Sequence, residues 1–531
     1  MTNERVYLYD TTLRDGAQTQ GVDFSVSDKT KIADRLDSLG IDYIEGGWPG
    51  ANPTDDAFFA TKPQLEHSRL TAFGMTRRPG RSAENDPGLN ALFNCGATAI
   101  CMVGKAWDFQ VKVALGIAAT ENLDMISDSI GLASKRVSET LFDAEHFFDG
   151  YKADSDYAMA CLDAAYQNGA RWIVLCDTNG GTLPDEVSYI VEAVRDHIPG
   201  EHIGVHFHDD TGNAVANSLA AVRAGARHVQ GTMNGLGERC GNANLISLMP
   251  TLALKMGYQC GPGKDGLKDL TPTAHLIDEL LNRAPNRGAP YVGAAAFAHK
   301  GGLHVAGVRK NPRCYEHIEP DIVGNVRQIV VSDQSGRANI LTRLENLGID
   351  VPKDHPKIPR LLEAVKDLEF EGSSFDGADA SFELLARRIL GTVPEFLKVN
   401  SYRVLIERRY NALGKLITVS EATVKVEIRG EERISVAEGN GPVDALTHAL
   451  RKDLGEYARF LDDWRLVDYK VRIVTPNDGT RAVTRVMIES ADGRADPWIT
   501  VGLSPNIVDA SFNALLDSIT YKLLRDGAPS A

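Results

Sequence analysis

Along the first 235 or so residues, short runs of apolar and β-branched residues alternate with longer amphipathic stretches. Each short run predicts a buried strand. Each longer stretch, such as the one with Ile32, Leu36 and Leu39, has apolar residues three or four apart and predicts a helix. The predicted strands are Val6–Tyr9, Tyr43–Glu45, Leu70–Phe73, Ala99–Val103, Glu145–Phe148, Trp172–Cys176, Ile203–His206 and His228–Gly231.

Three of these strands follow a glycine that ends the preceding helical pattern, namely Gly40, Gly169 and Gly225. Glycine just past a helix, followed by a buried strand, is typical of a helix-to-strand loop. The succession of strand and helix favours an α/β fold of the (β/α)8 TIM-barrel type over residues 1–261. An open, doubly wound parallel sheet would give a similar alternation and is the alternative at this point.

The pattern changes after this region. Residues 262–398 are mostly polar with helical periodicity, and they predict a helical linker region with subdomains. Turn-rich segments interrupt it at Ala284–Pro290 and at Glu371–Ala380, and the second segment indicates a linker or an exposed loop.

Residues 399–531 contain an internal near-repeat. "VDALTHAL" (Val443–Leu450) and "VDASFNAL" (Val508–Leu515) each follow strand-rich runs. We therefore expect a C-terminal α+β domain built from a duplicated βββα unit. Because no catalytic constellation is evident there, this domain is expected to be regulatory, binding a small molecule or forming a dimer contact.

The composition narrows the range of partners. Lys and Arg number 57 against 72 Asp and Glu, and the net charge of -15 argues against nucleic acid or an anionic membrane as the main partner. No apolar run approaches the roughly 18 residues of a membrane-spanning helix. The start "MTNERVYLYD" has no signal-peptide core, and seven scattered cysteines without a CxxC pair indicate reduced thiols. We expect a cytoplasmic protein.

The clearest chemical signal is "VHFHDD", at the end of the seventh predicted strand. His206 and His208 are two residues apart, so on a strand both imidazoles face the same side. At the C-terminal end of a barrel strand, two such imidazoles can bind one divalent metal ion. Asp209 and Asp210 follow and could orient the imidazoles. The alternative is one core histidine and one exposed histidine.

Other strand ends could supply oxygen ligands and charge. Asp15 follows the first strand, and an asparagine amide from "TMNGLGERCGNANL" after the eighth strand could complete an N₂O₂ set. Arg14 would then stabilise an oxygen that becomes negative during reaction. Thr178 follows the sixth strand at the same mouth. Cys240 is interpreted as an inert thiol, because nothing near it in the sequence marks a triad.

At these residues the sequence resembles the 2-isopropylmalate synthase/homocitrate synthase/citramalate synthase family, whose barrel is shared by acyl-CoA lyases. "LRDGAQ", followed after ten residues by Lys29, is similar to the first family signature. "IGVHFHDDTGNAVA" (Ile203–Ala216) is similar to the second signature, and "GERCGNANL" to the strand-eight element. The segment His299–Ile318 is similar to one that reaches over the partner subunit's active site. The C-terminal repeat is similar to an allosteric amino-acid-binding domain.

The resemblance implies a divalent metal ion, and N₂O₂ ligation suits Zn, Mn, Co and, less well, Mg. The implied metal ligands are Asp15, His206, His208 and Asn242.

The resemblance also implies roles for the other strand-end residues. Arg14 would contact substrate and stabilise the enolate and carbonyl oxygens, and Thr178 would contact the keto acid. His304 and Tyr315 would form a catalytic pair contributed in trans. The strand-five acid of the family usually precedes a run like "SPED"; here the region reads "AEHFFDGYK", and Glu145 is assigned with a one-residue shift left open.

Within the family, Glu45–Phe59 and Val331–Ile340 are most similar to the branch that condenses acetyl-CoA with pyruvate, toward isoleucine. The resemblance therefore implies acetyl-CoA and pyruvate as substrates, isoleucine as feedback inhibitor, and a homodimer. A methyl-sized pocket would exclude branched keto acids. Trp48 is a candidate for its wall, with a purely structural tryptophan as the alternative.

Other functions are compatible with parts of this pattern. The main alternative is a sister enzyme, a 2-isopropylmalate or homocitrate synthase, that uses a larger 2-keto acid. An acyl-CoA lyase would be similar over the barrel only. A metabolite sensor built on an inactive barrel would not need the complete ligand set.

Overall fold

In a computed structural model of the chain, the described residues are 4–261, 263–330, 336–375, 378–493 and 497–531. They divide into two compact units, one formed by Met1–Phe297 with Ile318–Val326 and the other by Ala298–His317 with Arg327–Ala531. The predicted domain boundaries at residues 261 and 398 stay predictions.

The first unit contains a closed barrel of parallel strands. The strands are β1 (Tyr7–Asp10), β2 (Tyr43–Gly47), β3 (Arg69–Met75), β4 (Ala99–Lys105), β5 (Glu139–Glu145), β6 (Trp172–Asp177), β7 (Ile203–Phe207) and β8 (His228–Gly231). Each pairs in parallel with the next, and β1 closes the ring against β8 with Tyr7 opposite His228. The predicted (β/α)8 TIM barrel is confirmed, and the open sheet is excluded.

Helices cover the outside of the barrel, and their apolar faces, including Ile32 and Leu36, are buried against it. Gly40, Gly169 and Gly225 have φ of 75°, 98° and 126°, a region that favours glycine, so they end helices as predicted. The main helices of this unit are Val26–Ser38, Pro53–Ala60, Pro87–Asn94, Ala119–Ala133, Phe147–Ala153, Ser155–Tyr166, Pro184–Arg195, Ala214–Ala224, Leu245–Pro250 and Leu270–Leu280.

The prediction of the fifth strand as Glu145–Phe148 is wrong. That strand is Glu139–Glu145, and a helix begins at Phe147. Phe147 and Phe148 lie on this helix and are fully buried. Their apolar side chains therefore serve the packing of the helix. The true strand carries Asp143, a buried polar residue that interrupts its apolar pattern. Glu145, which the predicted strand placed first, is instead the last residue of β5 and therefore lies at the C-terminal end of the barrel.

Aromatic side chains fill the barrel near the start of its strands. Tyr43, Trp172 and His228 are the first residues of β2, β6 and β8. The Trp172 and His228 rings lie 4.8 Å apart, and Trp172 Nε1 donates to the Tyr43 hydroxyl over 3.0 Å. This packing closes that end of the barrel and leaves the C-terminal end for polar groups.

The second unit begins with helices that pack around Leu344, Leu361 and Phe382. Two short strands, β9 (Ala298–His299) and β10 (Gln328–Ile329), pair in parallel. The helical middle region is confirmed. Residues 331–335 of Val331–Ile340 and residues 376–377 of Glu371–Ala380 lie outside the described residues. The main helices are Gly302–Lys310, Arg337–Asn346, Ile358–Glu371 and Asp379–Leu390.

The rest of the second unit repeats one arrangement twice. The first copy comprises β11 (Lys398–Tyr410), β12 (Leu416–Ile428) and β13 (Glu431–Gly439), followed by the helix Pro442–Lys452. The second comprises β14 (Arg465–Ile473), β15 (Thr484–Ala491) and β16 (Trp498–Ser504), followed by the helix Ile507–Arg525. Both sheets are antiparallel. The predicted duplication of a βββα unit is confirmed.

Among the described residues, every helix is too short or too polar to span a membrane. The seven cysteines all belong to the described part of the chain and are free thiols.

Candidate metal centre and active site

Three predicted metal ligands meet at the C-terminal end of the barrel. Asp15 follows β1, while His206 lies on β7 and His208 directly after it. Asp15 Oδ2 is 3.4 Å from His206 Nε2 and 4.0 Å from His208 Nε2, and the two Nε2 atoms are 3.3 Å apart. All three side chains are buried. They form a cluster that could hold a metal ion.

The donor atoms of this triad fit a metal ion. The buried Asp15 Oδ1 and His208 Nδ1 have no hydrogen-bond partner among the described residues. Leaving buried polar atoms unsatisfied is costly unless a ligand completes them. Two imidazole nitrogens and a carboxylate are suitable donors for a divalent ion.

The backbone joins the predicted fourth ligand, Asn242, to the triad. A backbone bridge pairs it with His208. Both polar atoms of its buried side chain lack a partner within the described part of the protein. Gly237 leaves room for this side chain, because a Cβ there would lie 2.8 Å from Asn242 Nδ2. These observations suit a metal ligand.

Gln230 and Asp143, which the sequence analysis did not predict as site residues, orient His206. Its Nδ1 lies 2.9 Å from Gln230 Oε1, and Gln230 Nε2 donates to Asp143 Oδ1 over 3.0 Å. With the amide oxygen facing Nδ1, that nitrogen carries the proton and Nε2 is free to bind a metal. The available signal was a polar residue within each buried strand, Gln230 in β8 and Asp143 in β5.

The pKa shifts of Asp15 and His208 agree with ligand chemistry. Burial would raise the pKa of Asp15, but the charge of Arg14 and the hydrogen bond to His206 outweigh it and hold this pKa far below its usual range. Burial, and then the charge of His206, lower the pKa of His208 to about 4. Burial would also lower the pKa of His206, but the hydrogen bond and charge of Asp15 raise it overall. Asp15 is thus a carboxylate and His208 a neutral imidazole near neutral pH.

Arg14 is held by groups that the sequence did not reveal. Its Nε donates to Glu45 Oε2 over 2.6 Å, and Glu45 Oε1 accepts from the Tyr9 hydroxyl over 2.6 Å. The guanidinium carbon lies 3.9 Å from the centre of the Phe73 ring. Arg14 Nη1 is also 3.6 Å from Asp15 Oδ2. The guanidinium is therefore fixed beside the triad by one buried carboxylate and one aromatic face.

Glu145 and Thr178, also predicted from the sequence, line a cavity of about 290 Å³ together with Arg14 and the triad. Glu145 Oε2 lies 2.5 Å from Lys105 Nζ. The Thr178 hydroxyl accepts from the His146 backbone N–H over 2.9 Å. Arg239 donates two hydrogen bonds to Asp210. The cavity thus combines a metal cluster, a fixed cation and further polar groups.

His304 and Tyr315 belong to the second compact unit and lie together within it. Their rings are stacked, with centres 4.2 Å apart and planes 23° from parallel. Gly307 permits this, because a Cβ at that position would lie 2.5 Å from the tyrosine ring. Both side chains are exposed within the chain.

Comparison with known families covers most of the chain. Residues 5–268 match the HMGL-like family, residues 291–372 the homocitrate synthase post-HMGL domain-like family, and residues 376–523 the LeuA allosteric (dimerisation) domain.

Individual relatives extend over the full length. The (R)-citramalate synthase of Aquifex aeolicus is 48% identical over 98% of this chain and 98% of the relative. That of Geobacter sulfurreducens is 49% identical over 98% of this chain and 97% of the relative. A 2-isopropylmalate synthase of Pyrococcus abyssi is 33% identical over 96% of this chain and 99% of the relative.

Proposed function

The chain belongs to the family of (R)-citramalate synthases, enzymes of the acyltransferase class, and we propose that it condenses acetyl-CoA with pyruvate and water to give (R)-citramalate and CoA. The observation that carries this proposal is the buried triad of Asp15, His206 and His208 beside Arg14. Similarity through the C-terminal domain supports a synthase rather than a lyase.

Asp15, His206, His208 and, as fourth ligand, Asn242 would hold one divalent ion: Mn, Zn, Co or Mg. When bound, the ion supplies Lewis acidity toward the ketone of the keto acid.

Arg14 would stabilise the negative charge that develops on the ketone oxygen as the new carbon–carbon bond forms. Its guanidinium is already fixed by Glu45 and Phe73, so little reorganisation is needed. Thr178 would hold the keto acid through its hydroxyl. These groups would orient the keto acid so that one face of the ketone meets the attacking carbon.

His304 would remove a methyl proton from acetyl-CoA, and the stacked Tyr315 would keep the imidazole in position. The enolate carbon would then add to the ketone. Glu145, paired with Lys105, would orient the water that cleaves the thioester and releases CoA. Hydrolysis makes the overall reaction irreversible. His304 and Tyr315 would act on the partner subunit's barrel in a homodimer.

The C-terminal domain would bind isoleucine and reduce activity as feedback control. Support comes from the duplicated βββα unit and from the match to an allosteric, dimerisation domain. Such control requires different isoleucine affinities in two states of the enzyme. Calorimetric titration should detect isoleucine binding, and its absence would refute this part of the proposal. A cytoplasmic location completes the proposal, in keeping with seven free thiols.

The reaction is tested by measuring CoA thiol release with pyruvate, 2-ketoisovalerate and 2-ketoglutarate. Pyruvate should be strongly preferred, and a preference for either larger acid would assign the chain to a sister activity instead. His206→Ala should remove turnover and lower the bound metal content measured by elemental analysis. His197→Ala is the control, because His197 is exposed outside the site. Full activity of His206→Ala would refute the metal assignment.

A further inference from the structure

Two cavities meet at the mouth of the barrel. The first, of about 290 Å³, adjoins the metal triad. The second, of about 390 Å³, extends between the loops that follow β2, β3 and β4 and includes Pro49, Pro79 and Leu115 in its lining.

The two cavities share part of their lining, which we call the wall between them. The residues that line both of them are Trp48, Met75, Val103, Lys105 and Glu145. Lys105 and Glu145 are ion-paired with each other, so they give the wall a polar side. The apolar side consists of the other three residues, of which Trp48 has the largest and most rigid side chain.

The surroundings hold Trp48 in place. Its ring packs edge to face on Phe73, with ring centres 5.4 Å apart and planes at 82°. Its backbone N–H donates to Asp55 Oδ2 over 2.8 Å. Asp55 is paired with the buried Lys29, which also donates to the Gly46 carbonyl over 3.0 Å. An ion pair thus fixes the end of β2 from which Trp48 projects.

We propose that Trp48 sets the upper size of the keto-acid side chain, an inference that rests on the proposed condensation. The triad and Arg14 would bind the oxygen atoms of the keto acid, so its side chain must face the remaining, apolar part of the cavity. Trp48, Met75 and Val103 form that part where it borders the second cavity, and Phe73 supports the indole of Trp48. Removing the indole joins the two cavities and creates room for a branched side chain.

The test compares kcat/KM for pyruvate and for 2-ketoisovalerate in the wild type, Trp48→Ala and Trp48→Phe. One methylene in an apolar pocket changes discrimination by about 10-fold to 200-fold. We therefore expect Trp48→Ala to lower the pyruvate-to-ketoisovalerate ratio at least about 10-fold. Trp48→Phe, which keeps an aromatic ring, should fall between Trp48→Ala and the wild type.

The ratio is unaffected by the fraction of folded enzyme, because both substrates report on the same active molecules. A structural role alone would lower both rates together and leave the ratio unchanged, and that result would overturn the proposal. If Trp48→Ala does not fold, an unchanged ratio in Trp48→Phe would do the same. Tyr189→Ala is the control, since this aromatic residue is 69% exposed on an outer helix.

Failure of the proposed function gives a different result. In that case the wild type itself would prefer the larger keto acid. The effect of Trp48 is measured as the change between variant and wild type, so a changed ratio supports the wall whichever acid the wild type prefers.

Discussion

At the scale of single residues, His228 is a buried base with no hydrogen-bond partner among the described residues. Its side chain is fully buried among Tyr9, Tyr43 and Trp172, and neither ring nitrogen has a hydrogen bond to a described residue. Burial lowers the pKa of His228 to about 3, and the charge of Arg171 adds to the effect. The folded barrel therefore holds this imidazole in its neutral form.

This predicts a specific loss of stability in acid. In the unfolded chain, His228 binds a proton below about pH 6.5, the usual pKa of histidine. In the folded chain it binds that proton only below about pH 3. Stability is therefore lost as the pH falls through this window. His228→Leu should reduce the loss between pH 7 and pH 4.5 by about 2–3 kcal/mol, measured by urea unfolding at both values.

His67→Leu is the matched control, because His67 is exposed on the barrel surface. It should lose as much stability in acid as the wild type. Equal losses in His228→Leu and the wild type would contradict the buried neutral state of His228.

The residue scale also shows what the sequence could reveal about the site. Asp15, His206 and His208 were predictable because ligand-type residues followed recognisable strands at a spacing that a strand projects to one side. Glu45, Asp143 and Gln230 were not, because they are single polar residues within buried strands. Their significance depends on which strands face each other across the barrel, and periodicity along the chain does not contain that information.

At the scale of elements, the last helix, Ile507–Arg525, carries a buried cation. Lys522 Nζ lies 2.6 Å from Asp492 Oδ2, 2.8 Å from Asp526 Oδ2 and 3.3 Å from Asp463 Oδ1. Burial alone would lower the pKa of Lys522, but the hydrogen bonds to these carboxylates raise it. The ammonium and the guanidinium of Arg525 together neutralise Asp492, whose carboxylate is fully buried.

Lys522→Met should therefore destabilise the C-terminal domain by up to about 3–5 kcal/mol, because it removes an ammonium that three carboxylates share, while Arg525 still pairs with Asp492. The measurement is chemical unfolding of the full chain. Lys470→Met is the matched control: Lys470 lies 2.6 Å from Asp468 in an exposed pair, and such pairs contribute only about 0–1 kcal/mol. A similar small effect for both variants would show that the buried pair does not anchor this helix.

The elements themselves were largely predictable, and the exception is informative. Apolar alternation and helix-ending glycines marked most of the barrel, and the repeat of Val443–Leu450 in Val508–Leu515 marked the duplication. The fifth strand was misplaced because Phe147 and Phe148 are as apolar as strand residues but begin a helix. Local hydrophobicity indicates that a segment is buried. It does not distinguish a helix that packs against a sheet from a strand within the sheet.

At the scale of the whole molecule, the proposed mechanism divides one active site between two chains. This predicts complementation between inactive variants. Arg14→Ala and His304→Ala should each lack activity, because one loses the barrel cation and the other the proposed base. Mixed dimers would contain one barrel with Arg14 served by a partner with His304.

Co-expression of the two variants, with different tags for purification, should restore up to about a quarter of wild-type activity if subunits pair at random in a symmetric dimer. Each variant purified alone is the control. If both residues acted within one chain, the mixed dimers would be as inactive as their parents, and the assignment in trans would fail.

The Gln230–Asp143 hydrogen bond has a further consequence for motion. It joins β8 to β5, which are not neighbours in the barrel. The same Gln230 side chain is hydrogen-bonded to His206. An ion that immobilises His206 would therefore restrain a strand on another side of the barrel. Amide hydrogen exchange in β5 should slow when the triad is filled, although no residue of β5 belongs to it.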